Sequence, residues 1–131
     1  MKERSREVGT LLSALERVVD AALDNARRAT DRGKKIDDHQ VHCERVSYLA
    51  TELRAAKALS DYATAAARDG SKDEIGAEAA VVFAAGAAAR CRAQVATHLD
   101  AFGFKEADRL ILFGAIIVVF TAAYTRVTAE G

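Results

Sequence analysis

Three glycines, Gly33, Gly70 and Gly103, punctuate at near-regular intervals a chain that contains no proline. Each glycine follows a stretch with helical hydrophobic spacing, and glycine is the residue that most readily ends a helix in the left-handed conformation. Between the breaks nothing interrupts a helix, and 29 alanines supply the best helix-forming residue. A β-sandwich or barrel needs many short strands with Gly/Pro-rich turns, and that pattern is missing. The breaks predict an all-α, antiparallel up-down four-helix bundle, with helices over about 4–32, 38–69, 73–102 and 105–128. A length of 131 residues suits one domain, 1–131.

Helix-start signals accompany two of the breaks. Asp37-x-x-Gln40 is capping-box-like, and Ser71-x-x-Glu74 has the full capping-box form. Gly33 is suited to the left-handed position after the first helix. The start of the last helix, at Lys105-Glu106, carries no assignable cap.

The first helix places Val8, Leu11, Leu15, Val18, Ala22 and Ala29 along one seam. The second does the same with Val46, Leu49, Leu53, Ala56, Ala63 and Ala67, and a stripe of Tyr48, Ala55, Leu59 and Tyr62 is expected to widen its buried face.

Charge divides the chain unevenly. Nineteen basic and nineteen acidic residues cancel, so no net field attracts nucleic acid or acidic lipid. Residues 1–75 carry 14 of each sign, and residues 76–131 carry five of each. The third helix contains Ala79-Ala80-Val81-Val82-Phe83-Ala84-Ala85-Gly86, and the run Leu110–Thr125 has no charge. Such helices must be covered on more than one side, which implies a large interface. Val82, Phe83, Gly86, Phe113, Ile117 and Phe120 are the expected interface residues, with Ala80, Ala84, Gly86 and Gly114 allowing close backbone approach. The run Leu110–Thr125 is sixteen residues, short of the roughly 18–20 that span a bilayer, so no membrane span is expected.

Chemistry-bearing residues are few. Cys43 and Cys91 lack CxxC spacing, and the charged N-terminus has no apolar stretch behind it, so no secretory signal is expected and a reducing cytoplasm is the expected compartment. The fold of the second and third helices brings residue 43 level with residue 99. His42, Cys43 and His98, with Asp100 nearby, are therefore the candidate soft-ligand metal site. No HExxH or paired ExxH supports a metal, and helix-end polar residues with Cys43 as a small hydrophobe fit the same pattern. The arginines flanking Cys91 would lower its thiol pKa if they faced it, but a plain helical cysteine is the expected reading. Phosphate-binding glycine loops and nucleophile elbows are absent.

The run Gly33-Lys34-Lys35-Ile36-Asp37-Asp38-His39-Gln40, followed by Tyr48-Leu49-Ala50-Thr51-Glu52-Leu53-Arg54-Ala55-Ala56, resembles the C-terminal helical domain of acyl-CoA dehydrogenases. The alanine-rich Ala79–Ala89 stretch leading to Ala101-Phe102-Gly103-Phe104 resembles that family's following helix and glycine turn. The likeness covers about residues 8–104. It implies that His39 and Gln40 occupy flavin-proximal positions.

The departures from the family pattern carry as much meaning. The flavin-contacting arginine falls on Ala29, with Arg28 beside it; the turn phenylalanine falls on Arg32 and the turn proline on Lys35. The Gln-x-x-Gly-Gly segment that cradles a neighbouring subunit's flavin pyrophosphate falls on Thr97-His98-Leu99-Asp100-Ala101. Asp100 brings a negative charge where that chemistry needs donors. The segment bearing the common catalytic base has no counterpart.

The resemblance therefore implies a non-catalytic helical module, acting in assembly or as an accessory subunit or domain of a flavin-dependent acyl-CoA oxidoreductase. FAD is expected only within a larger assembly. The expected partners are further copies of the chain or a full-length dehydrogenase. An independent homo-oligomeric scaffold and a small metal or thiol protein are the alternatives.

Overall fold

The computed structural model describes residues 2–106. Among them the chain is helical throughout and has no strand: α1 Lys2–Ala29, a 3-10 turn Ile36–His39, α2 Gln40–Arg68, α3 Glu74–Thr97 and the one-turn α4 Leu99–Phe102. The expected last helix, the uncharged run 110–125, Gly114, and the interface residues Phe113, Ile117 and Phe120 lie outside the described residues.

The three long helices pack antiparallel in sequence order. The ammonium of Lys57 on α2 donates to Glu16 on α1 at 2.8 Å, and the guanidinium of Arg90 on α3 donates to Glu52 on α2 at 2.7 Å. These pairs fix the registers, with α1 and α3 running in the same direction. The core is one apolar cluster. Val8, Leu11, Leu15, Val18 and Ala22 of α1 face Val46, Leu49, Leu53 and Ala56 of α2, and α3 contributes Ala84, Ala88, Cys91 and Val95. The predicted seams of α1 and α2 are largely the buried seams. Ala29 and Ala67 at their ends are exposed.

The stripe Tyr48–Ala55–Tyr62 does not widen the buried face of α2. Tyr48 is 64% exposed and Tyr62 58% exposed, Ala55 is also exposed, and only Leu59 is half-buried. The stripe sits beyond the edge of the core, because α1 and α3 approach α2 over a single sector that Val46, Leu49, Leu53 and Ala56 fill.

Gly70 closes α2 in the left-handed conformation as expected, whereas the other helix ends differ from the sequence expectation. α1 stops at Ala29, before the expected residue 32. The left-handed position after it is taken by Asp31 (φ 49°) and Arg32 (φ 58°), ahead of Gly33 (φ 95°). The amides of Arg32 and Asp31 close on the carbonyls of Arg27 and Arg28, the paired bonds of a Schellman turn. Thr30, buried, adds the reason: its hydroxyl donates to the Ala26 carbonyl at 2.8 Å and accepts from the Gly33 amide at 3.1 Å. That side chain ties the turn down with its left-handed position at Asp31, two residues before the glycine.

Asp37 does not cap α2. A 3-10 turn intervenes, and the Asp37 carboxylate accepts from the Gln40 side chain instead of from a helix amide. Ser71 does not cap α3 either. Asp73 does, accepting from the Gly76 amide at 2.9 Å. Both Asp73 and Ser71 are good N-cap residues, and Asp73 is the one placed just before the first helical residue.

The third helix also breaks sooner than expected, at His98 rather than 102. The one-turn α4 that follows re-aims the chain so that Phe102 and Phe104 enter the core.

Candidate functional site

The end of the bundle that holds the α1–α2 turn, the start of α2 and the α3–α4 break carries most of the side chains with chemical potential. His39 is the last residue of the 3-10 turn and half-buried; Gln40 opens α2 and is exposed. His42 lies one turn into α2, beside Cys43, which is half-buried and free.

The hairpin register does bring His98 into the electrostatic neighbourhood of His42. The group that packs on the imidazole, however, is the Phe102 ring, edge-to-face at 4.8 Å between centroids and 74° between planes. Both nitrogens of His42 are buried without a hydrogen-bond partner among the described residues. Burial pushes its pKa down, and the nearby charges of Arg45, His39 and His98 push it further the same way. The imidazole is therefore neutral at pH 7. Among the described residues no group of three or more His, Cys, Asp or Glu side chains is placed to hold a metal ion. His42, Cys43 and His98 are neighbours in the fold without forming a ligand shell.

Asn25 is a site residue that the sequence patterns passed over. Its side-chain amide donates to the Ala101 carbonyl at 2.9 Å, fastening α4 to α1 across 76 positions of sequence. Its amide oxygen also fills the space that a Cβ on Gly103 would enter, at 2.5 Å. Gly103 sits at φ 78°, with the amides of Gly103 and Phe104 closing on Asp100 and Leu99 as a second Schellman turn. The available signal was an asparagine one position before Ala26 on an otherwise alanine-lined stretch of α1.

Cys91 is the plain helical cysteine expected, not a thiol activated by its flanking arginines. It is 1% exposed, and burial, followed by the charge of Glu52, pushes its thiol up to about 12. Arg90 and Arg92 flank it in sequence, but a helix turns neighbouring side chains about 100° apart, and Arg90 reaches outward to Glu52. The low-dielectric core decides this pKa.

The expected interface residues separate into different environments. Val82 is 62% exposed, while Phe83 is half-buried against the core. Gly86 is half-buried and faces the Arg90 guanidinium, not a neighbouring backbone. Ala80 and Ala84, two of the small residues expected to allow close approach at the interface, are buried within the bundle.

Two hollows complete the surface. An open groove of about 620 Å³ at the far end of the bundle is lined by apolar residues such as Val8, Ala67 and Ala80 together with the polar Ser60 and Thr64 and the charged Arg6 and Arg68. A second hollow of about 540 Å³ lies at the α1–α2 turn between Arg27, Arg28, Asp31 and Arg32, and carries net positive charge.

The described residues thus define an all-α module whose polar groups cap helices and fasten turns. Residues 1–111 match the family described as acyl-CoA dehydrogenase, C-terminal domain, and the chain belongs to that family. No curated protein matches it, and neither does any solved structure. No helix among the described residues is long and apolar enough to cross a membrane.

Proposed function

We propose that the chain is a non-catalytic helical module of the acyl-CoA dehydrogenase type, serving assembly or acting as an accessory subunit or domain of a flavin-dependent acyl-CoA oxidoreductase. One observation carries the reading, the chemistry of the 97–103 turn. In the family that stretch supplies donors to a flavin pyrophosphate. Here the exposed carboxylate of Asp100 stands in the first turn of α4, where an anion would have to approach. Gly103, which gives the family an open backbone, faces the Asn25 amide at a distance that leaves no room beside it.

The other flavin-proximal positions support the same reading. Gln40, one of the two, spends its side-chain amide on Asp37 at 3.1 Å. These residues do not fit a flavin held by this chain alone. The basic hollow at Arg27, Arg28 and Arg32 is partly neutralised by Asp31 and by the Arg27–Asp24 pair at 3.0 Å. What remains of the family is its helical scaffold, and a scaffold acts by packing.

Purified full-length chain is expected to show no flavin absorbance in the visible range, before or after incubation with FAD. Purification from native cells is expected to bring a full-size dehydrogenase with it. Stoichiometric bound flavin would overturn the proposal.

A further inference from the structure

We propose that the open groove beside the start of α1 is a binding site for an organic anion with a flat apolar body, an aromatic carboxylate in its simplest form. The groove lies at the opposite end of the bundle from His39, Gln40 and Asp100. The inference goes beyond the assembly role and does not rest on it.

The groove arises where the core seams run on past the side chains that fill them. On α2, Ser60, Ala63 and Ala67 continue the helical spacing of the buried Leu53 and Ala56. Ser60 and Ala63 are nevertheless only half-buried, and Ala67 is exposed. On α3, Ala77 continues the line of the buried Ala80 and Ala84 and is half-buried. On α1, Val8 is the outermost buried residue, and Ser5 beyond it is exposed. Positions that face the bundle axis here carry side chains too short to meet across it, while Leu11, Leu12 and Leu53 further in keep the helices apart. The hollow that results, about 620 Å³, falls within the ~300–1,000 Å³ of small-molecule sites.

Charge selects the kind of ligand. Arg6 and Arg68 line the groove, and among the described residues no carboxylate does. Arg27 and Arg90 are spent on Asp24 and Glu52, whereas among the described residues neither Arg6 nor Arg68 enters an ion pair. A guanidinium grips a carboxylate through two parallel N–H donors and also stacks on an aromatic face. The Thr64 hydroxyl already donates to the Ser60 carbonyl at 2.9 Å, so that wall offers mainly apolar contact.

Width selects the body. From Ser60 to Arg68 α2 rises about 12 Å. Over that length the groove averages about 50 Å² in section, about 7 Å across. A single alkyl chain is one carbon wide and touches only atoms within about 3.5–4.0 Å. It would leave much of the section unfilled, and a fused ring fills it.

Titration of the full-length chain with naphthoate, followed by calorimetry and by backbone amide shifts, tests this. The expected result is one site per chain with a Kd at or below about 1 mM. The shifted amides should group at residues 60–68 and 77–81. Naphthamide keeps the ring without the charge, and decanoate keeps the charge on a linear chain. Each is expected to bind at least about fivefold more weakly. Arg6→Gln and Arg68→Gln should each weaken naphthoate about three- to tenfold. Ala67→Phe, which fills the groove from an exposed position, should abolish binding with helical circular dichroism unchanged. Absence of binding at millimolar naphthoate overturns the inference and leaves the groove to residues 107–131. Naphthamide or decanoate binding as tightly as naphthoate also overturns it, as does a site indifferent to all three substitutions. No measurement here involves flavin or a dehydrogenase, so the assembly role stands or falls separately.

Discussion

Gly70 and Gly103 make a matched pair that isolates one tertiary contact. Both end a helix in the left-handed conformation, at φ 79° and 78°, and both close Schellman turns. A Cβ at Gly70 would meet nothing within 4 Å, whereas one at Gly103 would lie 2.5 Å from Oδ1 and 2.8 Å from Cγ of Asn25. Alanine in the left-handed region costs about 1–2 kcal/mol, and its stiffer unfolded chain returns about 0.4–1 kcal/mol. Gly70→Ala should therefore destabilise by roughly 0.5–1 kcal/mol. Gly103→Ala carries the same backbone strain and must also swing the Asn25 amide away from the Ala101 carbonyl, forfeiting a hydrogen bond worth about 0.5–1.5 kcal/mol. The expected total is about 1–2.5 kcal/mol.

Urea unfolding followed by circular dichroism, at one fixed protein concentration, measures both variants. Adding Asn25→Ala removes the contact in advance. In that background Gly103→Ala should cost no more than Gly70→Ala, giving a coupling of roughly 1 kcal/mol between positions 25 and 103. Equal costs for the two glycines in the wild-type background, or strict additivity of Asn25→Ala with Gly103→Ala, would refute the claim that Asn25 clamps the α4 turn.

Two further perturbations probe the helix start and the buried imidazole. Asp73→Ala should destabilise by about 1 kcal/mol through loss of the α3 cap, while Ser71→Ala should change stability by no more than a few tenths; thermal melts of the two variants decide between the rival caps. His42 binds its proton less readily in the folded than in the unfolded chain, so the stability it contributes is complete above its unfolded value near 6.5 and falls as pH drops through that value toward the lower folded one. Replacing it by Phe should flatten the pH dependence of urea midpoints between about pH 7 and 5, and an unchanged slope would show that other groups govern it.

Long-range periodicity was legible in the sequence because it is a property of each helix alone. Val8 to Ala22 and Val46 to Ala56 could be read as seams without knowing what they faced, and the hairpin register that brings His98 into the neighbourhood of His42 followed from the Gly70 break. The errors concentrate where two local options compete. Ser71 and Asp73 both have cap chemistry two residues apart, and only the position of the first helical residue decides between them. At the end of α1 the buried Thr30 hydroxyl, unremarkable in sequence, pulls the left-handed position onto Asp31 and Arg32 and leaves Gly33 a step late. Cys91 shows the same limit in electrostatics. Its charged neighbours are visible in the sequence, but the side of the helix on which the thiol sits depends on packing, and packing determines its pKa.

The apolar surplus of the second half is the remaining case. Read from the sequence, the uncharged alanine-rich run Ala79–Ala89 of α3 looks buried on all sides. In the fold, α3 divides instead into two stripes with different duties. Ala84, Ala88, Cys91 and Val95 are small enough, or narrow enough, to let α3 sit close against α1 and α2 and are buried. Ala79, Val82, Ala89 and Ala93 have comparable side chains and remain on the outside. Nothing in the residue types separates the two sets; their phase around the helix does. Alanine is cheap to leave in water, since it offers little apolar area, so the outer alanines alone would require no partner. Tyr48, Tyr62, Ile75 and Val82 are the residues that make the outer face costly to expose, and each sits at the heptad spacing of its own helix from another exposed apolar residue. The exposed apolar surplus of the outer face thus comes from a few large side chains set among many small ones.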